Sequence, residues 1–216
     1  LIETFSIFTV SHTRQLSNLT LASNWKAKMS SFNQLAEFYS NANEESALVH
    51  VPSLFVVARD CTKSFKDLSN FNVAKAVLSL FTTIFGIYSN LKRAPDSYLY
   101  FTASKLAVEK IGDKKLYEAA SSCLHLICVV KDPQRILTIT AKSIGDIPSP
   151  LVHESFLGWF KTFCLDFGAS SLSNCLQDTL LWILKVSVPT KQLSLKVYSH
   201  THSRYFIILR SVRAIT

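Results

Sequence analysis

The chain has 216 residues, 48% of them hydrophobic, and carries 23 lysines and arginines against 15 acidic residues, a net charge of +8. That length suits one large domain, and the apolar content excludes a globally disordered chain. With only 5 glycines and 6 prolines, the turn residues that a β-sandwich or barrel needs every roughly ten residues are missing, which favours helices joined by short connections.

In chain order, Leu1 to Val10 is apolar but has no basic leader or small-residue cleavage site, so no signal peptide is expected. The chain starts at Leu1 rather than Met and reads as a fragment of something longer. Asn24 is placed to cap a first helix, which breaks at Asn41 to Glu45. A second break spans Ser64 to Asn70. Between Asn72 and Asn90 the apolar residues Val73, Val77, Leu80, Phe81, Ile84, Ile87 and Tyr88 fall at helical spacing and give one wide buried face. Val77 to Leu91 comes closest to a membrane span but is short and flanked by Lys75 and Lys92, so no span is expected.

Lys92 to Pro95 and Gly112-Asp113 are the next breaks. A helix follows with Leu116, Ala119, Ala120, Cys123, Leu124 and Ile127 on its apolar face. Lys131 to Pro133 and Gly145 to Pro150 are turns, and then Val152, Phe156, Trp159, Phe160 and Phe163 mark another buried face. After Gly168 to Ser171 comes an apolar helix over 172–186 with Leu176, Leu180, Ile183 and Leu184, ended by Ser187 to Thr190. Trp159 and Trp182 sit on apolar faces and read as core.

The five cysteines, Cys61, Cys123, Cys128, Cys164 and Cys175, form no close CxxC pair and mostly fall in apolar helices, where they act as small buried hydrophobes in a reducing compartment. No glycine-rich phosphate loop or nucleophile elbow is present. His200 and His202 share no helix face and lack an acidic or cysteine partner nearby, and His125 on an apolar helix reads as a satisfied core histidine. The expected chain is therefore not an enzyme and takes neither metal nor cofactor.

The breaks alternate in two sets. Asn24, Asn70, Asp113, Ser149 and Thr190 are each placed to cap the helix that follows, at spacings of 46, 43, 36 and 41 residues. A period near forty with two helices per unit is the signature of HEAT or armadillo repeats. The expected fold is all-α: a single domain over residues 1–216, an α-solenoid of about five HEAT-type helix pairs, paddle-like and cut short at its C-terminal end. Alternate loops of such a solenoid lie on opposite edges, so this second set of breaks lines one edge.

On that edge stand Asn24-Trp25-Lys26-Ala27-Lys28, then Phe65 to Val73, then Glu109 to Lys115, and then Ser149 to Glu154 followed by Trp159 and Phe167-Gly168. In order and spacing, over about residues 24–192, they resemble a TOG domain of the ch-TOG microtubule polymerase family, closest to an internal member of its array. The resemblance implies a HEAT-repeat paddle whose loop edge binds αβ-tubulin without nucleotide hydrolysis, in the cytoplasm at the cytoskeleton, spindle or centrosome. It implies tubulin contacts at Trp25, Lys26, Lys28, Asn70, Asn72, Lys114, Lys115 and Lys191. It also shows departures: Ile147 to Pro150 carries no charge where the family has a lysine, Lys191 stands for an arginine, and 198–216 matches nothing in the family.

Taken alone, the same residues admit plainer roles: Trp25 packed in the core, Lys114 and Lys115 a solvated helix start, Asn70 and Asp113 caps only. The alternative functions are a different helical-repeat scaffold, such as a phosphatase-scaffold or karyopherin fragment that uses its concave face, and a basic nucleic-acid binder suggested by the +8 charge alone.

Overall fold

The computed structural model describes His12, Arg14, residues 24–51 and residues 69–168. Among them all the regular structure is helical, and there is no strand. The named helices are α1 (Trp25–Asn41), α2 (Phe71–Asn90), α3 (Ser97–Lys110), α4 (Tyr117–Val130), α5 (Pro133–Gly145) and α6 (Pro150–Phe167). Residues 44–51 are helical as well. The expectations for Cys61, Cys175, Trp182, Lys191, His200, His202, the helix over 172–186 and residues 198–216 lie outside the described residues.

α2 is the centre of the core. Its sequence is apolar almost all round, leaving Asn72, Lys75, Ser79 and Asn90 as exposed positions. A helix hydrophobic on several faces must be covered on several faces, and α2 packs extensively against both α1 and α4. Every apolar position that periodicity assigned to it is buried. By length and composition this helix could also cross a membrane, but its apolar surface is already occupied by its neighbours. α5 is the opposite case. It buries one stripe, Ile136, Leu137, Thr140, Ala141 and Ile144, and keeps Arg135, Thr138 and Lys142 on its exposed side.

The helix ends follow local chemistry. Asn24 accepts the Ala27 N–H at 2.9 Å at the start of α1, and Asn70 accepts those of Asn72 and Val73 at 3.0 and 3.4 Å at the start of α2. Asp96 and Asp132 cap α3 and α5 in the same way. Two expected caps differ. Asp113 does not cap α4: its carboxylate accepts the Lys115 N–H at 2.9 Å and so shapes the turn that precedes the helix, whose N-cap position is Leu116. Ser149 occupies the N-cap of α6 but makes no side-chain cap bond; Pro150, with φ preset for the first turn, starts that helix instead.

α2 stops in a Schellman turn, with Arg93 N–H on Tyr88 O and Lys92 N–H on Ser89 O, each near 3 Å. The turn needs a left-handed residue, and Lys92 supplies it at φ 52°. A side chain there is strained by about 1–2 kcal/mol, partly offset by the extra unfolded-state entropy of glycine. Lys92→Gly is therefore expected to stabilise the fold by about 0.5–1 kcal/mol. A urea midpoint that fails to rise in the variant would show that the turn carries no such strain.

Contacts at the helix ends fix the direction of each helix. Just beyond the end of α1, Glu44 and Glu45 meet Asn90 at 2.7 Å and Arg93 at 3.8 Å, at the end of α2. Lys115, before α4, lies over Phe71 at the start of α2. Further along, a Cβ on Gly158 of α6 would touch the Tyr117 hydroxyl of α4, and His125 lies 3.4 Å from Asp166. So α1, α2, α4 and α6 run the same way, with their N-termini on one edge. α3 and α5 pack together and run back. Lys131 and Arg135, at the start of α5, sit 5.2 and 5.8 Å from the ring of Tyr100 near the start of α3.

The apolar core is continuous from Phe32, Leu35 and Tyr39 of α1, through α2 and α4, to Phe156, Trp159, Phe160 and Phe163 of α6. Cys123 and Cys128 are part of it, and burial pushes the Cys123 thiol up to about 12 and that of Cys128 up as well. Thiols so far from ionising are poor nucleophiles and poor metal ligands. His125 departs from its expected place in the core. It is half-exposed, with Nδ1 near the Asp166 carboxylate and its ring 5.3 Å from that of Phe167. Its position in the second half of α4 flanks the end of α6 rather than facing inward.

Candidate functional site

Four helix starts converge on the edge. Trp25 is the first residue of α1 and is 38% exposed. Its position before the first inward-facing turn explains why a large apolar ring stays partly in solvent: the buried residues of α1 begin only at Ser31 and Phe32. Lys26 is exposed and holds its Nζ 5.7 Å from the Trp25 ring centroid, a cation–π contact worth about 0.5–1 kcal/mol in solvent. Lys28 is half-buried one turn further on.

At the start of α2, Asn72 is exposed and Asn70 half-buried. Asn70 is a cap in the first place. Its side-chain oxygen is committed to two backbone N–H groups, so the amide nitrogen is the donor it can offer a partner. Phe71, between them, is half-buried beneath the Lys115 ammonium at 5.7 Å. This contact ties the turn 111–116 to the start of α2. The motif around Asn70 to Val73 contained Phe71, but its pairing with Lys115 was not visible in one dimension.

The turn itself exposes Asp113, Lys114 and Lys115. On its other side it presses on α6. A Cβ at Gly112 would stand 2.5 Å from Val152 Cγ2, 2.9 Å from Val152 Cα and 3.0 Å from Val152 N. Only a residue without a side chain lets the two backbones approach this closely. Leu151, the residue before Val152, is 58% exposed. The Ile147 to Pro150 connection contributes no charge. The structure thus brings together seven of the eight site residues expected from sequence, namely Trp25, Lys26, Lys28, Asn70, Asn72, Lys114 and Lys115. The eighth, Lys191, lies outside the described residues.

The electrostatics of this edge have two sources. Lys26, Lys28, Lys114 and Lys115 carry full charges. The aligned peptide dipoles of four parallel helices add partial positive charge at their N-termini, about half an elementary charge each, which the C-termini of the returning α3 and α5 and the exposed Asp113 and Asp146 offset in part. A carboxylate in the first turn would cancel that potential, but α1, α2 and α6 have none there; α4 alone has one, Glu118. Nearby on α3, burial holds the Glu109 carboxyl above its usual range, while Lys105 and Lys110 pull it back down. The edge therefore favours a negatively charged surface. Among the described residues no group of three or more His, Cys, Asp or Glu side chains is arranged to hold a metal ion.

No family model, no curated protein and no solved structure matches this chain.

Proposed function

We propose that the chain is a TOG-type module that binds αβ-tubulin along the edge where α1, α2, α4 and α6 begin. In this reading the helices stack as HEAT-type pairs in a paddle-like solenoid. The alternation of forward helices α2, α4 and α6 with returning helices α3 and α5 supports it, as does the packing of α2 on α4 and of α3 on α5.

One observation carries the functional reading: an exposed tryptophan at one end of an edge that is electropositive through both lysines and helix N-termini. A single aromatic anchor in a field of weak cationic contacts is a common interface plan. The ring supplies affinity, and the charges speed encounter with an acidic surface. The module performs no chemistry of its own and takes no cofactor. It works in the cytoplasm on the cytoskeleton, contributing to microtubule growth or spindle organisation.

The expected consequence is specific. Truncating a hot-spot tryptophan costs about 2 kcal/mol of binding, or roughly 30-fold in Kd. In a fluorescence titration against soluble αβ-tubulin, Trp25→Ala should weaken binding by that factor, with only a small fall in the thermal midpoint of the free chain, since the ring is partly exposed at the first residue of α1. A variant that binds as tightly as the wild type would remove Trp25 from the interface. Binding to DNA or RNA with a steep salt dependence, and none to tubulin, would favour a nucleic-acid binder instead.

A further inference from the structure

We infer that Leu151 is a second apolar anchor of the same edge, so that the partner is a broad folded surface with two apolar spots and an acidic stretch between them. This rests on the reading of the edge as the binding site. Three features of Leu151 lead to it. Its side chain is 58% exposed although Val152 beside it is buried, so it contributes little to the core. It stands in the first turn of α6, where a carboxylate would favour the helix dipole and a leucine does nothing for it. And it is held in place, because the following residue is in backbone contact with the turn at Gly112 that carries Lys114 and Lys115.

Trp25 and Leu151 are the two exposed large hydrophobics among the described residues of this edge. They stand at its two ends. From α1 to α6 the chain of neighbours runs through α2 and α4, which is three helix-to-helix steps. At about 8–10 Å per step the two side chains are roughly 25–30 Å apart. Between them lie Asn72, Lys114 and Lys115. A surface that engages both ends has the width of a standard protein–protein interface. A short acidic peptide would reach the central lysines but not both apolar ends in a compact form.

The test is the Kd for soluble αβ-tubulin of the full chain and of Leu151→Ser, Trp25→Ala, the double variant and Leu165→Ser. Leu165 is an even more exposed leucine of the same helix, near its far end, and controls for loss of any surface leucine. Leu151→Ser should weaken binding about fivefold to tenfold, the change expected for one partly buried aliphatic contact. Leu165→Ser should bind as the wild type does. The double variant should show the product of the two single effects, because sites this far apart do not couple. Leu151→Ser within about twofold of wild type, alongside a weakened Trp25→Ala, would overturn the second anchor and leave the tubulin reading standing. A wild-type chain with no affinity for tubulin would overturn that reading, and the Leu151 contact with it.

Discussion

Trp159→Ala is expected to lower the unfolding free energy by about 3–5 kcal/mol, the range for removing a large buried aromatic. Trp159 is buried to within 2% of its surface at the middle of α6. It is the centre of a ladder in which Phe156 lies one turn before it at 5.1 Å and Phe163 one turn after it at 5.4 Å, with Phe160 and Phe167 extending the contacts of Phe163. Deleting the indole leaves a cavity that the rigid flanking rings cannot fill, and it removes two ring–ring contacts as well as the transfer energy. For a chain of this size the loss corresponds to a fall of roughly 10 °C in thermal midpoint. Leu165→Ala on the same helix is the control: it is 70% exposed, and its effect should stay within about 0.5 kcal/mol. Comparable losses in the two variants would mean that α6 does not face the core as described.

The second large effect concerns the joint between two parts of the edge. Gly112→Ala places a methyl group against the backbone of Val152, where the contact is with Cα and N and not only with a flexible side-chain tip. Backbone cannot swing aside, so the turn 111–116 and the first turn of α6 must separate. Overpacking of this kind costs about 1–3 kcal/mol. Gly86→Ala is the counterpart. Gly86 lies within α2 with nothing inside 4 Å of its would-be Cβ, so alanine there should stabilise by about 0.5–1 kcal/mol through helix propensity. The two glycine substitutions should thus shift the urea midpoint in opposite directions. Shifts of the same sign would contradict the close approach at Gly112.

The all-helical class was legible because α2, α4 and α6 each carry a wide apolar face at helical spacing, and Asn24 and Asn70 mark starts by chemistry that acts within a few residues. α3 was legible only as the stretch between two breaks. Its opening Tyr98-Leu99-Tyr100-Phe101 is a continuous apolar run whose buried and exposed members cannot be told apart by period; Leu99 and Tyr100 are buried while Tyr98 and Phe101 are exposed. Two cap assignments failed. Asp113 can satisfy either a turn or a helix start, and the nearer N–H of Lys115 won. At Ser149 the hydroxyl makes no cap bond, and Pro150 after it does not explain this, since Asp132 caps α5 ahead of Pro133.

For the edge, the spacing of the breaks placed these helix starts on one side, and Trp25, Asn72, Lys114 and Lys115 are exposed there. What spacing could not give was contact. The seating of Gly112 on Val152, the Lys115–Phe71 pair and the exposure of Leu151 all depend on how one helix meets the next. His125 was misplaced for the same reason, since an apolar helix can turn one side to a neighbouring helix terminus instead of the core.

The most direct test of the central claim is size-exclusion chromatography of the purified chain with soluble αβ-tubulin at low salt, beside Trp25→Ala. Tubulin binding along this edge predicts that the wild type co-elutes with tubulin at an earlier volume and that the variant does not. A wild type that elutes separately would contradict tubulin recognition and turn attention to a helical scaffold with another partner.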